Sequence, residues 1–193
     1  MEQEDLFDKN TENILSQIQP HFLYNILTLI QYYCNTDPKI AEETVVEFSV
    51  YLRGNLDALI LREKIKFERE LRHVISYLSI EKKRFERKFN VSYDIKVIDF
   101  MLPPLTLMAI VENAVCHGIT KKEDSGTIWI ETCETDGNIV ITISDDGAGF
   151  DVNEEAAGGI KNVRNRLAEM CGGTLEITSK PGIGTKAVIT IPV

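Results

Sequence analysis

The apolar residues of this chain change their spacing part-way along it, and that change constrains the fold more than any single motif. Up to about residue 86 they recur every three to four positions, the mark of helices that bury one face. Ile14, Ile18, Phe22, Ile26 and Leu29 form the first stripe, widened by Leu15 and Leu23. From Phe89 onward the pattern is mixed. "FNVSYDIKV" alternates like a strand, and most later apolar runs do the same. A helical first part and a second part that mixes helices with strands predict an α+β chain.

Within the first part, the spacing predicts a helix over residues 13–33 and a second over about 39–61, with Val45, Val46, Phe48, Leu52, Leu56 and Leu59 apolar. "NTDPKI", Asn35 to Ile40, is the turn between them. Such a helical hairpin cannot bury both stripes by itself. It packs on the rest of the chain, or it dimerises into a four-helix bundle. A third helix is predicted from Phe67 to Glu86, carrying Leu71, Val74, Ile75 and Leu78 on one face.

The second part reads as an α/β sandwich, a mixed and mostly antiparallel sheet covered by helices on one face. Residues 105–118 are helical. "TIWIETCE" and "NIVITISD" are strands joined by the hairpin signal "TDGN". Ile160 to Cys171 is a helix closed by Gly172 and Gly173. "TLEITSK" and "KAVITIPV" make a last pair of strands. The expected domains are residues 1–62, the hairpin, and residues 63–193, the sandwich.

A net charge of −9 argues against broad nucleic-acid binding, which needs a basic face. It does not exclude ATP, whose phosphates can be held by backbone N–H groups and Mg²⁺. Cys34, Cys116, Cys133 and Cys171 are far apart and form no CxxC, so they read as reduced thiols of a cytosolic protein. No run approaches the roughly 18 apolar residues of a membrane span, and no signal peptide is visible.

Four short stretches carry chemistry. "ENAVCHG", Glu112 to Gly118, places Asn113 and His117 on one helix face, four residues apart. "DDGAGF", Asp145 to Phe150, follows a strand directly, and "PGIGT", Pro181 to Thr185, precedes the last one. "QIQPHFLYNIL", Gln17 to Leu27, sets Pro20 inside a helical pattern and directly before His21. Proline removes a backbone hydrogen bond, here to the Ser16 carbonyl, and kinks or ends a helix.

Together with "FSVYLRGNL", "ERELRHVISYLSIEKKRF", "PPLTLMAIVENAVCHG" and "GGIKNVRNRL", these stretches resemble the sensor histidine kinases of the LytS/YesM type. Their ATP-binding domain belongs to the GHKL group with gyrase B, Hsp90 and MutL. The family's acceptor stretch reads approximately Q-I-N-P-H-F-L-Y-N-x-L, one residue from the stretch here. The likeness runs over residues 14–193 in the same motif order.

The resemblance implies that His21 is phosphorylated by ATP and passes the phosphoryl group to an aspartate of a response regulator receiver domain. A bend at Pro20 would turn the imidazole outward, where the ATP domain could reach it. Imidazole suits the step as a nucleophile near neutral pH. Its attacking nitrogen must be unprotonated, so the other ring nitrogen carries the proton. Many histidine kinases place an acid directly after the histidine; here Phe22 follows. Glu112 is then either a base or part of an Mg²⁺-holding or capping network. Asn25, four residues after His21, either positions water to dephosphorylate the partner or is an ordinary polar residue of the bundle surface.

For ATP, the resemblance implies that Asp145 accepts from the adenine amino group. Gly147 and Gly149 would let backbone approach the nucleotide. Asn113 would ligate Mg²⁺ through its side-chain oxygen, with His117 on the same face. Gly158 and Gly159, ahead of a helix N-terminus, would face the phosphates, and Gly182, Gly184 and Thr185 would close the far side. Three departures stand out. Cys116 replaces a lysine, Ala157 replaces the first lid glycine, and Ala109 stands where ATP-hydrolysing relatives have glutamate, which fits phosphoryl transfer rather than hydrolysis. The first two departures leave open a nucleotide-binding scaffold with weak or lost activity. A GHKL serine kinase is a further alternative, against which the intact acceptor hairpin argues. The natural protein is expected to be longer, homodimeric through residues 1–62, and anchored in the cell membrane by an upstream region, with this part on the cytoplasmic face.

Overall fold

In the computed structural model the described residues are 20–60, 63–85, 89–122, 124–150 and 158–193. They divide between two compact units, residues 1–62 with 75–86 and residues 63–74 with 87–193.

The first unit is built on a hairpin of α1, Pro20–Thr36, and α2, Pro38–Ile60. Asp37 alone links them. Its carboxylate accepts the Ile40 N–H at 3.3 Å, and Pro38 takes the first helical position, where a missing N–H costs nothing. The expected turn is therefore an N-cap and a proline start. Phe22 of α1 meets Tyr51 of α2 with ring centroids 4.8 Å apart, as antiparallel packing about Asp37 requires. Ile26, Ala41, Thr44 and Phe48 are buried between them. Tyr77, from the second half of α3 (Phe67–Arg84), stands 5.4 Å from Phe22. Glu47 of α2 accepts from Ser79 Oγ and pairs with Lys83 Nζ, each at 2.7 Å. The bend expected at Pro20 involves Ser16, which lies outside the described residues, as does Glu86 at the expected end of α3.

The second unit holds a five-stranded sheet in the order β2-β4-β5-β7-β6. The strands are β2 Phe89–Ile95, β4 Gly126–Thr135, β5 Asn138–Asp145, β6 Thr174–Lys180 and β7 Gly184–Pro192. β2 runs parallel to β4, and the other three pairings are antiparallel. The β4–β5 hairpin turns through Asp136 and Gly137, both at positive φ, 52° and 71°. That is the primed turn the "TDGN" signal demands. Ile128 and Ile130 of β4, Ile139, Ile141 and Ile143 of β5, and Ala187, Ile189 and Ile191 of β7 are buried on alternate positions. One sheet face is thus apolar, and α4 (Thr106–Asn113) and α5 (Gly158–Cys171) contribute their own buried residues to this core.

Two features were not anticipated. A short antiparallel pair joins β1, Ile65–Lys66, to β3, Met101–Leu102. The predicted helix over residues 105–118 also changes character: α4 gives way to a π turn at Ala114–Gly118 and a 3₁₀ turn at Ile119–Lys121. Glu70 of α3 anchors the start of α4. Its carboxylate accepts the N–H groups of Leu105, Leu107 and Met108 at 3.0, 3.1 and 3.3 Å. No side chain of α4's own N-terminus caps it, and Leu105 sits at φ 57°. The buried Glu70 supplies what a local cap would give.

Candidate functional site

Asp145 is the last of the inward positions of β5, after Ile139, Ile141 and Ile143. The strand period therefore aims its carboxylate at the helix-covered face. It is only 7% exposed. Burial raises its pKa to about 6, opposed by N–H groups of Gly147 and Thr185 that donate to it. The Gly147 N–H lies 2.9 Å from Oδ1. Asp146, next along, accepts the Thr127 N–H at 2.7 Å through its own Oδ1, so the loop leaves the sheet in one fixed direction.

The three motifs of the second unit meet here through backbone. Ala148 N–H donates to the Gly118 carbonyl at 3.0 Å, and Gly182 N–H donates to the Ala148 carbonyl at 2.7 Å. "ENAVCHG", "DDGAGF" and "PGIGT" are thereby one bonded structure. Glycine is needed at the crossings. Gly149 has φ 61°, and a Cβ there would strike the Lys180 carbonyl oxygen; Gly184 has φ 124°, and a Cβ there would strike the Asp145 carbonyl oxygen. A Cβ at Gly147 would collide with Gly118. The expected reason for Gly147 and Gly149 was room for a ligand. The contact that excludes a side chain at each is with the protein's own backbone.

These loops border a cavity of about 270 Å³, near the lower end of small-molecule pockets. Ile110, Ile143, Ile160 and Ile177 supply apolar wall, and Asp145 and Thr185 supply polar groups at the strand ends. Asn113, His117 and Gly118 line it from the end of α4 and the π turn, and Gly149 and Phe150 from the second loop. Glu112, half-buried, is not among the lining residues. Gly158 and Gly159 were expected to precede a helix; they form the first turn of α5, and a Cβ at Gly159 would meet nothing within 4 Å. Ala157, at the position of the first lid glycine, falls outside the described residues.

Two contributors escaped the sequence reading. Lys121, on the 3₁₀ turn, lines the cavity. Cys116, the position of the missing lysine, is half-buried and is not among the lining residues. Ser179, the second residue before "PGIGT", is the hub of two loops. Its Oγ accepts the Phe150 N–H at 2.9 Å and lies 3.1 Å from the Gly184 carbonyl and 3.0 Å from Thr185 Oγ1. A serine one turn ahead of a glycine loop was the available signal, but its partner 29 residues away was not.

The first unit presents a different kind of site. His21 is exposed on α1, one helical turn from Asn25, whose Nδ2 lies 3.1 Å from His21 Nδ1. Phe22 points the other way, 5% exposed, into the ring cluster with Tyr51 and Tyr77. The cluster sets the rotation of α1 and so turns the imidazole to solvent.

Residues 10–89 match the family model described as histidine kinase, and residues 103–193 match that of histidine kinase-, DNA gyrase B- and HSP90-like ATPases. The sensor histidine kinase YpdA of Escherichia coli (strain K12) is 33% identical over 92% of this chain and 33% of its own length. The chain belongs to the LytS/YpdA-type sensor histidine kinases. The sensor protein LytS of Bacillus subtilis (strain 168) is 28% identical over 97% of this chain. The uncharacterized protein YwpD of the same organism is 38% identical over 91% of it. The chain spans 34% of that LytS and 67% of YwpD. The fold agrees with the histidine kinase domain of the Erythrobacter litoralis EL346 blue-light activated histidine kinase, with a TM-score of 0.56, 17% identity and coverage of 96% of this chain and 94% of that one. This chain is thus the catalytic part of a two-component sensor histidine kinase, and its second unit is an ATP-binding domain. No described helix is long and apolar enough to cross a membrane.

Proposed function

We propose that the cavity of the second unit binds ATP with Mg²⁺, and that His21 receives the γ-phosphoryl group and passes it to an aspartate of a response regulator. The observation that carries this reading is the bonding of three loops, Gly118 to Ala148 to Gly182, around a buried Asp145. Such an arrangement offers an acceptor for the adenine amino group, apolar wall for the ring, and Asn113, His117 and Lys121 on the lining beyond it. Thr185 closes the strand side. Gly158 and Gly159 bring the N-terminal N–H groups of α5 beside Ile160, which lines the cavity. Among the described residues no group of three or more His, Cys, Asp or Glu could hold a metal. Mg²⁺ would then rest on the phosphates, water and the Asn113 side-chain oxygen, as suits a hard cation that keeps much of its hydration.

Exposure of His21 on a helix supports its role as acceptor, because a phosphoryl donor and then a receiver domain must both reach it. Exposed Tyr24, Leu27, Val45 and Val46 on the hairpin, 70%, 54%, 45% and 60%, support dimerisation through residues 1–62. LytS of Bacillus subtilis and YpdA are longer sensor proteins, and we place this part on the cytoplasmic face beneath a membrane anchor. The scaffold alternative rested on Cys116 and Ala157. Lys121 on the cavity lining weakens it, since a cation is available there.

Incubation with γ-labelled ATP and Mg²⁺ tests the reading. The wild type is expected to take up label that is lost in acid and kept in base. His21→Gln is expected to abolish labelling while ADP affinity stays within about twofold, since the side chain is on the other unit. Acid-stable label, or label that persists in His21→Gln, overturns it.

A further inference from the structure

The reaction needs one imidazole nitrogen bare and the other protonated, and something must choose between them. The residue after His21 cannot: Phe22 is 5% exposed and packed between Tyr51 and Tyr77. No carboxylate stands on α1, whose sequence PHFLYNILTLIQYYCNT contains no Asp or Glu. Among the described residues, the polar group that does reach the ring is the Asn25 amide, 3.1 Å from Nδ1.

We propose that Asn25 sets the tautomer of His21 for phosphorylation, holding Nδ1 and leaving Nε2 as the attacking nitrogen. This rests on the reading of His21 as the acceptor. The amide has two faces for one ring position. With Nδ2 toward Nδ1 it donates, and the ring proton sits on Nε2, which is the unreactive arrangement. Turned over about its Cβ–Cγ bond, it accepts the Nδ1 proton through Oδ1 and leaves the Nε2 lone pair bare. In the second arrangement the Nε2 lone pair attacks the γ-phosphorus. The bond from that phosphorus to the bridging oxygen breaks, and its electron pair leaves with ADP. The proton stays on Nδ1, where Oδ1 shares the positive charge that the ring gains. It is later lost to solvent, to which His21 is open. An amide can play this part where a carboxylate would hold one tautomer permanently. Asn25 is a positioning residue, acting through the ring.

A purely water-positioning role for Asn25 in partner dephosphorylation makes a different prediction, because it leaves autophosphorylation untouched. The variants Asn25→Ala and Asn25→Asp separate the two. In Asn25→Ala the autophosphorylation kcat is expected to fall roughly 10- to 100-fold with the KM for ATP unchanged. Asn25→Asp, which can only accept, is expected to restore most of the rate. Long-range ¹H–¹⁵N spectra of the nucleotide-free chain give a readout without activity. His21 resonances are assigned by their loss in His21→Gln. In Asn25→Asp they are expected to report the Nδ1–H form, and in Asn25→Ala both ring-nitrogen shifts are expected to move from the wild-type values. Wild-type rates in Asn25→Ala, or an Asp variant as slow as the Ala variant, overturn the inference. If the wild type itself takes no label, the functional reading has failed instead, and the spectra decide alone: ring shifts identical in wild type and Asn25→Ala overturn the pairing.

Discussion

His21 stands in solvent on a helix, one turn from a single amide partner. Asp145 is 7% exposed at the end of a strand, with two backbone N–H groups on its carboxylate and three loops tied around it. The two sites solve opposite problems. On the proposed function the hairpin offers one nitrogen to large partners, so it needs only the rotation of α1, which the Phe22–Tyr51–Tyr77 cluster fixes. On the same proposal the pocket excludes water from a small ligand, so it needs backbone held from several directions. Side-chain chemistry dominates the first and backbone geometry the second.

The largest effect that would test this contrast is a change of one methyl group in the pocket. Gly149→Ala puts a Cβ against the Lys180 carbonyl at a φ of 61°. Titration calorimetry is expected to show ADP affinity lower by roughly 100- to 1,000-fold, the combined result of left-handed strain and overpacking. An affinity within twofold of wild type would break the comparison, because side chains would then suffice for binding.

Glu70 gives the next effect. It is buried and holds three N–H groups at the start of the helix that carries Asn113. Glu70→Ala is expected to cost about 3 kcal/mol in chemical denaturation, since donors are left without an acceptor. Burial raises the Glu70 pKa from 4.5 to about 7. Between those values the folded chain keeps a proton that the unfolded chain has lost, so this residue makes stability rise as pH falls through the window. The contribution amounts to at most about 3 kcal/mol. In Glu70→Gln that part of the pH slope is expected to vanish.

The smallest effect sharpens the contrast within the pocket. Lys121 lines it as a flexible cation, so Lys121→Ala is expected to weaken ATP roughly 3- to 10-fold while leaving adenosine unchanged, as measured by competition. Equal loss for both ligands would place Lys121 on the base side instead.

Much of this was legible beforehand because it is local. The β4–β5 hairpin followed from "TDGN", since two left-handed residues in a row call for that chemistry. Asp145 could be placed at a strand end because "DDGAGF" directly follows an alternating run. Other features were hidden. The π turn at Ala114–Gly118 has the composition of an ordinary helix, so four-residue spacing was assumed. Gly158 and Gly159 are expected just ahead of the helix, although the helix begins with them. Lys121 belongs to no motif, and Cys116, at the position of the family's lysine, is not among the lining residues.

The sequence by itself determined the main helices and the five strands of the large sheet, and where the hairpins turn. Those properties depend on residues within a turn or two of one another, through side-chain period, proline and glycine. Only the tertiary structure decided that Glu70 caps a helix 37 residues away and that Ser179 joins two glycine loops. It also decided that His21 faces solvent while Phe22 faces Tyr77. Each is a contact between distant parts of the chain, and no local spacing specifies its partner.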